Sequence, residues 1–166
     1  MRPQDIVILI NIVTRQDDSW QYRDIAHDLL LSMSEVSESL MRSHMAGLVD
    51  ETKKKVNRKS LFEFLEHGIH YVFPQAPGTM VTGTQTAHSH PYFKKLFKAE
   101  LEYVWPDSEG KLMGLSITPL YKGAPIAAKN DQQLHVLLAA IDILRVGRVR
   151  EVHVALKLLK TELGVR

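Results

Sequence analysis

Cysteine is missing from all 166 positions of the chain. Its absence excludes both disulfide bridges and thiolate metal sites. No apolar run reaches the roughly 18 residues that a membrane-spanning helix needs. The apolar stretch at residues 6–13 also lacks the small-residue cleavage site of a signal peptide. These absences predict a cytoplasmic protein with no membrane partner.

The chain also lacks a marked excess of either charge, because its 21 basic and 19 acidic residues leave a formal net charge of only +2. A nucleic-acid contact would therefore have to come from local clustering of basic side chains. The hydrophobic content of 45% and the charged content of 24% are ordinary for a globular protein. The length suits one sizeable domain, or a small domain joined to a substantial partner region.

Catalytic motifs are absent as well, since neither G-x-S-x-G nor H-E-x-x-H occurs. Gly78 and Gly83 have the glycine spacing of a phosphate-binding loop, but Thr84 replaces its lysine. His88 and His90 are the only close histidine pair, and an extended backbone would project both toward one metal. No carboxylate lies near them in sequence. We therefore expect no enzyme activity, no cofactor and no metal site.

The most informative stretch that is present runs from Tyr22 to Val49. Its apolar spacing predicts two short helices with a break at Leu31-Ser32, where Ser32 or Ser34 would cap the second helix. Gly47 would end that second helix in the left-handed conformation. This order of elements is the layout of a helix-turn-helix followed by the first strand of a wing. The plain alternative is an ordinary helical hairpin.

The strongest charge cluster of the chain follows at once. It comprises five basic residues within residues 53–59: Lys53, Lys54, Lys55, Arg58 and Lys59. On a wing beside a recognition helix, these side chains would neutralise DNA phosphates. Without the preceding helix pair, the same cluster would be read as a solvated charged turn.

These residues resemble bacterial winged-helix regulators of the MarR-like and TrmB-like group. The resemblance rests on DIA-x-x-L-x-L-S-x-S-x-V-S-x-x-L and on the closing phrase AGLVD, and it covers about the first 65 residues. Leu30 stands where such motifs usually carry glycine, and Ser43 stands where a leucine usually packs. The resemblance implies a DNA-binding regulator that forms a homodimer and reads a pseudo-palindromic site on double-stranded DNA.

Outside this stretch, helices are predicted from Pro3 to Arg15, from Asn57 to Gly68, after Asp131, and from about Arg148 to Leu163. The run 69–74 is predicted to be extended, residues 75–91 to form a long loop, and Asp17-Asp18-Ser19 to form a turn. Residues 102–105 and 111–117 would pair as a small hairpin. Asp142, Glu151 and Glu162 would form ordinary surface pairs.

The predicted fold is therefore mainly α with a small β part (α+β). A winged helix-turn-helix would occupy residues 1–73. Residues 74–166, with a loop, the hairpin and two helices, would serve dimerisation or partner binding.

The first functional hypothesis is a DNA-binding transcriptional regulator that reads its site through the helix at 32–46, with a basic wing at 53–59. The residues expected to face bases are Ser34, Glu35, Ser37, Glu38, Met41 and Arg42. The residues expected to contact phosphates are Ser32 or Ser34 with Lys53, Lys54, Lys55, Arg58 and Lys59. The alternative is a protein-interaction module, antitoxin-like or an adaptor, that uses the winged helix as a scaffold and grips a protein through its C-terminal region.

Overall fold

The computed structural model describes residues 1–15, 19–98 and 100–166. Over these residues the chain is mixed α and β, with nine α-helices and three strands. The helices are α1 (Pro3–Thr14), α2 (Tyr22–Leu29), α3 (Met33–Met45), α4 (Arg58–His67), α5 (Ile69–Val72), α6 (Pro91–Lys94), α7 (Ala124–Asn130), α8 (Gln132–Val146) and α9 (Val149–Glu162). The strands are β1 (Met80–Gln85), β2 (Tyr103–Pro106) and β3 (Leu112–Ser116).

Helix boundaries follow the capping residues that the sequence indicates. The side chains of Ser32, Asn57 and Asp131 each accept a backbone N–H three residues on, at 3.2, 3.3 and 2.9 Å. Such caps satisfy N–H groups that the first turn of a helix leaves without partners. The predicted helices at the start, after Asn57, after Asp131 and at the end are all confirmed. The turn predicted at residues 17–19 falls largely outside the described residues.

Two predictions between residues 69 and 91 are wrong. Residues 69–72, expected to be extended, form the short helix α5, with Phe73 N donating to Ile69 O. Residues 75–91, expected to be a loop, contain strand β1 and a 3-10 turn at Ala87–Ser89. The sequence does not indicate β1, because Thr82, Gly83 and Thr84 interrupt the alternation of apolar and polar residues that predicts a strand.

The three strands close on one another, and the predicted hairpin of β2 with β3 is wrong. Strands β2 and β3 are both present, but they pair in parallel, with Tyr103 opposite Leu115. Strands β2 and β3 each pair antiparallel with β1 and therefore run in the same direction as each other. A side chain at Gly83 would lie 2.0 Å from the carbonyl oxygen of Trp105, so this crowded position requires glycine.

Helix α1 lies at the centre of the molecule, with every residue from Asp5 to Val13 buried. It packs against α3 of the N-terminal segment and α8 of the C-terminal segment. One hydrophobic cluster therefore includes residues from both sides of the predicted boundary at 73/74. The boundary itself remains a prediction. No helix in the described part of the chain is long and apolar enough to cross a membrane.

Candidate nucleic-acid interface

The turn between α2 and α3 is tightly defined. Leu30 has φ 56° and ψ 42°, which is the left-handed conformation that glycine adopts most easily. Leu30 therefore adopts the backbone conformation that a glycine at this position would adopt. Ser32 N donates to Glu35 Oε2 at 2.8 Å, while Glu35 N donates to Ser32 Oγ at 3.2 Å. This reciprocal pair fixes where α3 begins.

A short turn follows α3 and ends in a single antiparallel bridge between Val49 and Val56. Asp50 organises the turn by accepting from Lys54 N and Lys55 N, both at 3.0 Å, and from Thr52 Oγ1 at 2.7 Å. The hydrogen bond from Thr52 lowers the pKa of Asp50 most, and together these hydrogen bonds hold that pKa below its ordinary value. The turn therefore presents the lysines at 53–55 on an ordered loop.

The outward face of α3 is polar and methionine-rich. Ser34, Glu38, Met41 and Met45 are exposed at helical spacing, and Ser37 is half-buried beside them. The side chains of Met41 and Met45 are 47% and 84% exposed. The charge on this exposed row is acidic, since Glu38 is its only ionisable member.

Arg42, the one arginine of α3, forms an ion pair with the buried carboxylate of Asp5. Its Nη2 and Nε donate to the two carboxylate oxygens of Asp5 at 2.7 and 2.9 Å. Burial raises the pKa of Asp5, but the hydrogen bonds from Arg42 and from Arg2 N outweigh it and hold the pKa below its ordinary value. Arg42 therefore fixes α3 to the start of α1. With Glu35 and Ser32 occupied in the cap, three of the predicted DNA contacts have structural roles.

The predicted phosphate contacts fall into two groups. Lys54 lies 4.1 Å from the Trp20 ring centre and donates to the Trp20 carbonyl, and Lys59 Nζ lies 3.9 Å from Glu63 Oε1. The second group is Lys53, Lys55 and Arg58, which lie on or just after the turn, and Arg58 Nη1 donates to the carbonyl of Leu163 at 3.2 Å. A cleft of about 230 Å³ beside the turn is lined by Arg15, Lys54, Lys55 and Arg58, with Ile12, Val13 and Val56.

The histidine pair does not form a shared site. His88 Nε2 lies 2.8 Å from Glu151 Oε2, whereas the ring of His90 lies 4.4 Å from that of His135. Burial, with the neighbouring His135, lowers the pKa of His90 to about 4. In the described residues, no group of three or more histidine, cysteine, aspartate or glutamate side chains could hold a metal ion.

Asp142 was predicted to pair on the surface, and this prediction is wrong because the side chain is buried. Its carboxylate accepts from Thr86 Oγ1 and Trp105 Nε1 at 2.7 Å and from Arg145 Nη1 at 2.8 Å. The cluster joins α8 to β2 and to the segment after β1. An acid between Ile141 and Ile143 in a long apolar run was the sequence signal for it, because such a position faces the core.

Comparisons with protein families, with curated proteins and with solved structures find no match.

Proposed function

We propose that the protein is a DNA-binding transcriptional regulator whose N-terminal segment acts as a winged helix-turn-helix. The observation that carries the proposal is the α2–α3 pair, with Leu30 in the left-handed turn and Ser32 at the cap, followed directly by the bridged turn at 49–56. In a helix-turn-helix the second helix enters the major groove and its N-terminal residues reach base edges.

In this proposal the base-reading residues are reduced to the outward row of α3. Ser34 and Glu38 pair with base edges, and Met41 contacts thymine methyl groups. Glu35 and Arg42 hold the helix in place through Ser32 and Asp5. The basic cluster at 53–59 contacts phosphates, and a homodimer places two copies of α3 on a pseudo-palindromic site.

The test combines duplex selection with a salt titration. Binding to random duplexes should recover a palindromic sequence, and the variant Lys53→Ala/Lys55→Ala should weaken binding to all duplexes. The slope of log affinity against log salt is negative, and its magnitude should fall by about 1.8, since each lost phosphate contact contributes about 0.9. Lys111→Ala/Lys122→Ala is the matched control, because these two lysines are exposed and lie far along the chain from the turn. An unchanged slope in the first variant would refute the assignment of the turn as a wing.

One observation favours a second candidate, a protein-interaction module. The side chains of Met33 and Met45 at the two ends of α3 are 60% and 84% exposed, and methionine suits adaptable protein contacts. In the same experiment, no retention on duplex or heparin together with a stoichiometric protein partner would favour this module over the regulator.

A further inference from the structure

Helix α9 has an exposed face on which every ionisable side chain is basic. Its members are Arg150, His153, Lys157 and Lys160, called here the basic stripe. They recur at i, i+3, i+7 and i+10 and so share one side of the helix. At about 1.5 Å of rise per residue the stripe extends over roughly 15 Å.

The two acids of α9, Glu151 and Glu162, lie outside the basic stripe and are held by contacts within the fold. Glu151 Oε2 accepts from Arg148 N at 2.7 Å and lies 2.8 Å from His88 Nε2. Glu162 Oε2 accepts from Gln133 Nε2 on α8 at 3.1 Å. Within the described chain no stripe residue forms an ion pair with an acid. A merely solvated helix face usually mixes both signs, so this segregation indicates an anionic partner.

Further basic residues extend the stripe at both ends. At its start, Lys98, Arg148 and Arg150 line a cleft of about 470 Å³, together with Leu96, Phe97 and Glu151. At its end, Arg58 Nη1 donates to the carbonyl of Leu163 at 3.2 Å. Arg58 belongs to the basic cluster at 53–59, so the end of α9 adjoins the region proposed to contact phosphates.

We propose that the basic stripe of α9 is a second surface that binds the phosphate backbone of double-stranded DNA. The proposal rests on the DNA-binding function proposed above. Lysine and arginine contacts to phosphates supply affinity and orientation without reading sequence. This surface supplies what α3 lacks, because the only arginine of α3 is bound to Asp5. The chain would then read bases with α3 and obtain much of its affinity from α9 and Arg58.

The test is a salt titration on one duplex, selected with the wild-type protein. The variant Lys157→Gln/Lys160→Gln should reduce the magnitude of the slope of log affinity against log salt by about 1.8. Between 50 and 200 mM salt the wild type should then lose about 12-fold more affinity than the variant. Adding Arg150→Gln should reduce the magnitude of the slope by about 0.9 more. Lysine and glutamine have similar helix propensities, so circular dichroism and melting should show the fold intact.

The control Lys111→Gln/Lys122→Gln removes two exposed lysines outside the stripe and should leave the slope unchanged. Combining the α9 variant with Lys53→Ala/Lys55→Ala should give additive losses of slope, as expected for independent contacts to one duplex. If the wild type binds duplex and the α9 variant keeps the full slope, the α9 surface is refuted while the regulator stands. If the wild type binds no duplex at low salt, or binds only anionic lipid vesicles, both proposals fail.

Discussion

Helices α3 and α9 both present one long face to solvent, but they use their basic residues in opposite ways. On α3 the only arginine is drawn inward to a buried carboxylate, and the exposed row carries Glu38 with methionines. On α9 four basic or imidazole side chains point outward, and the two acids are held by neighbouring elements. Helix α3, which we propose to read bases, thus has its arginine in a structural contact, whereas α9 presents its positive charge to solvent.

The same division holds over the two segments of the sequence. Residues 1–73 contain nine basic and eleven acidic residues, whereas residues 74–166 contain twelve basic and eight acidic residues. Arg15, Arg23 and Arg42 of the first segment all pair with acids. Since phosphate contacts dominate the affinity of most DNA-binding proteins, the second segment has to contribute if the protein binds DNA tightly.

The largest expected effect comes from breaking the ion pair of α3. Arg42→Ala leaves the Asp5 carboxylate, which is 0% exposed, without its charged partner. We expect a loss of about 3 to 5 kcal/mol in the free energy of unfolding, measured by urea titration. The pair contributes above pH 3.8, the ordinary pKa of Asp5, and its contribution is lost as the pH falls through the lower folded value.

Arg42→Lys retains the charge without the two-pronged geometry and should lose less. A stable Arg42→Ala protein with altered DNA binding would mean that Arg42 contacts DNA and does not brace the helix.

The second effect is the pH dependence of stability that comes from His90, a buried histidine of the C-terminal segment. His90 is buried neutral, and its pKa falls from 6.5 to about 4. Its contribution to stability is complete above pH 6.5 and is lost as the pH falls toward 4, because the unfolded chain binds the proton more readily. The expected loss is about 3 kcal/mol over that window.

His90→Asn keeps a side chain that can accept from Tyr92 N, as His90 Nδ1 does at 3.2 Å, but does not titrate. Its stability curve between pH 6.5 and 4 should therefore be flatter than that of the wild type. The exposed His153→Asn is the control and should follow the wild type. Parallel curves for wild type and His90→Asn would contradict this role for His90.

The smallest effect compares one lysine from each region. Lys54→Ala removes a cation 4.1 Å from the Trp20 ring and should cost about 1 kcal/mol. Lys157→Ala removes an exposed side chain and should change stability by less than about 0.5 kcal/mol. Thermal melts of the two variants measure the difference. Equal losses would show that Lys157 has a structural role and would weaken the view of α9 as a binding face.

The sequence predicts the helices of this fold well because their signals are local. Ser32, Asn57 and Asp131 stand at the caps, and Gly47 has the expected positive φ of 72°. A cap and its helix lie within four residues of each other, so neighbouring letters are enough to identify them.

Pairing between distant segments is where prediction from the sequence fails. The turn between β2 and β3 has the composition of a hairpin, yet both strands align along β1, which ends at Gln85, well before either strand begins. Likewise, Arg42 has the spacing of a base-reading residue, and only the tertiary structure brings it to Asp5. Ser43, in place of a packing leucine, is buried with a hydroxyl that has no hydrogen-bond partner among the described residues.

The central position of α1 has a consequence for how the protein is made. Roughly 120 residues separate the end of α1 from the start of α8, and at about 5 to 20 residues per second a ribosome needs roughly 6 to 24 s to add them. During that time a helix that is apolar on nearly all sides has no α8 to cover it. The nascent chain is then a candidate for chaperone binding or aggregation, and a fragment cut at residue 73 would keep that surface exposed permanently.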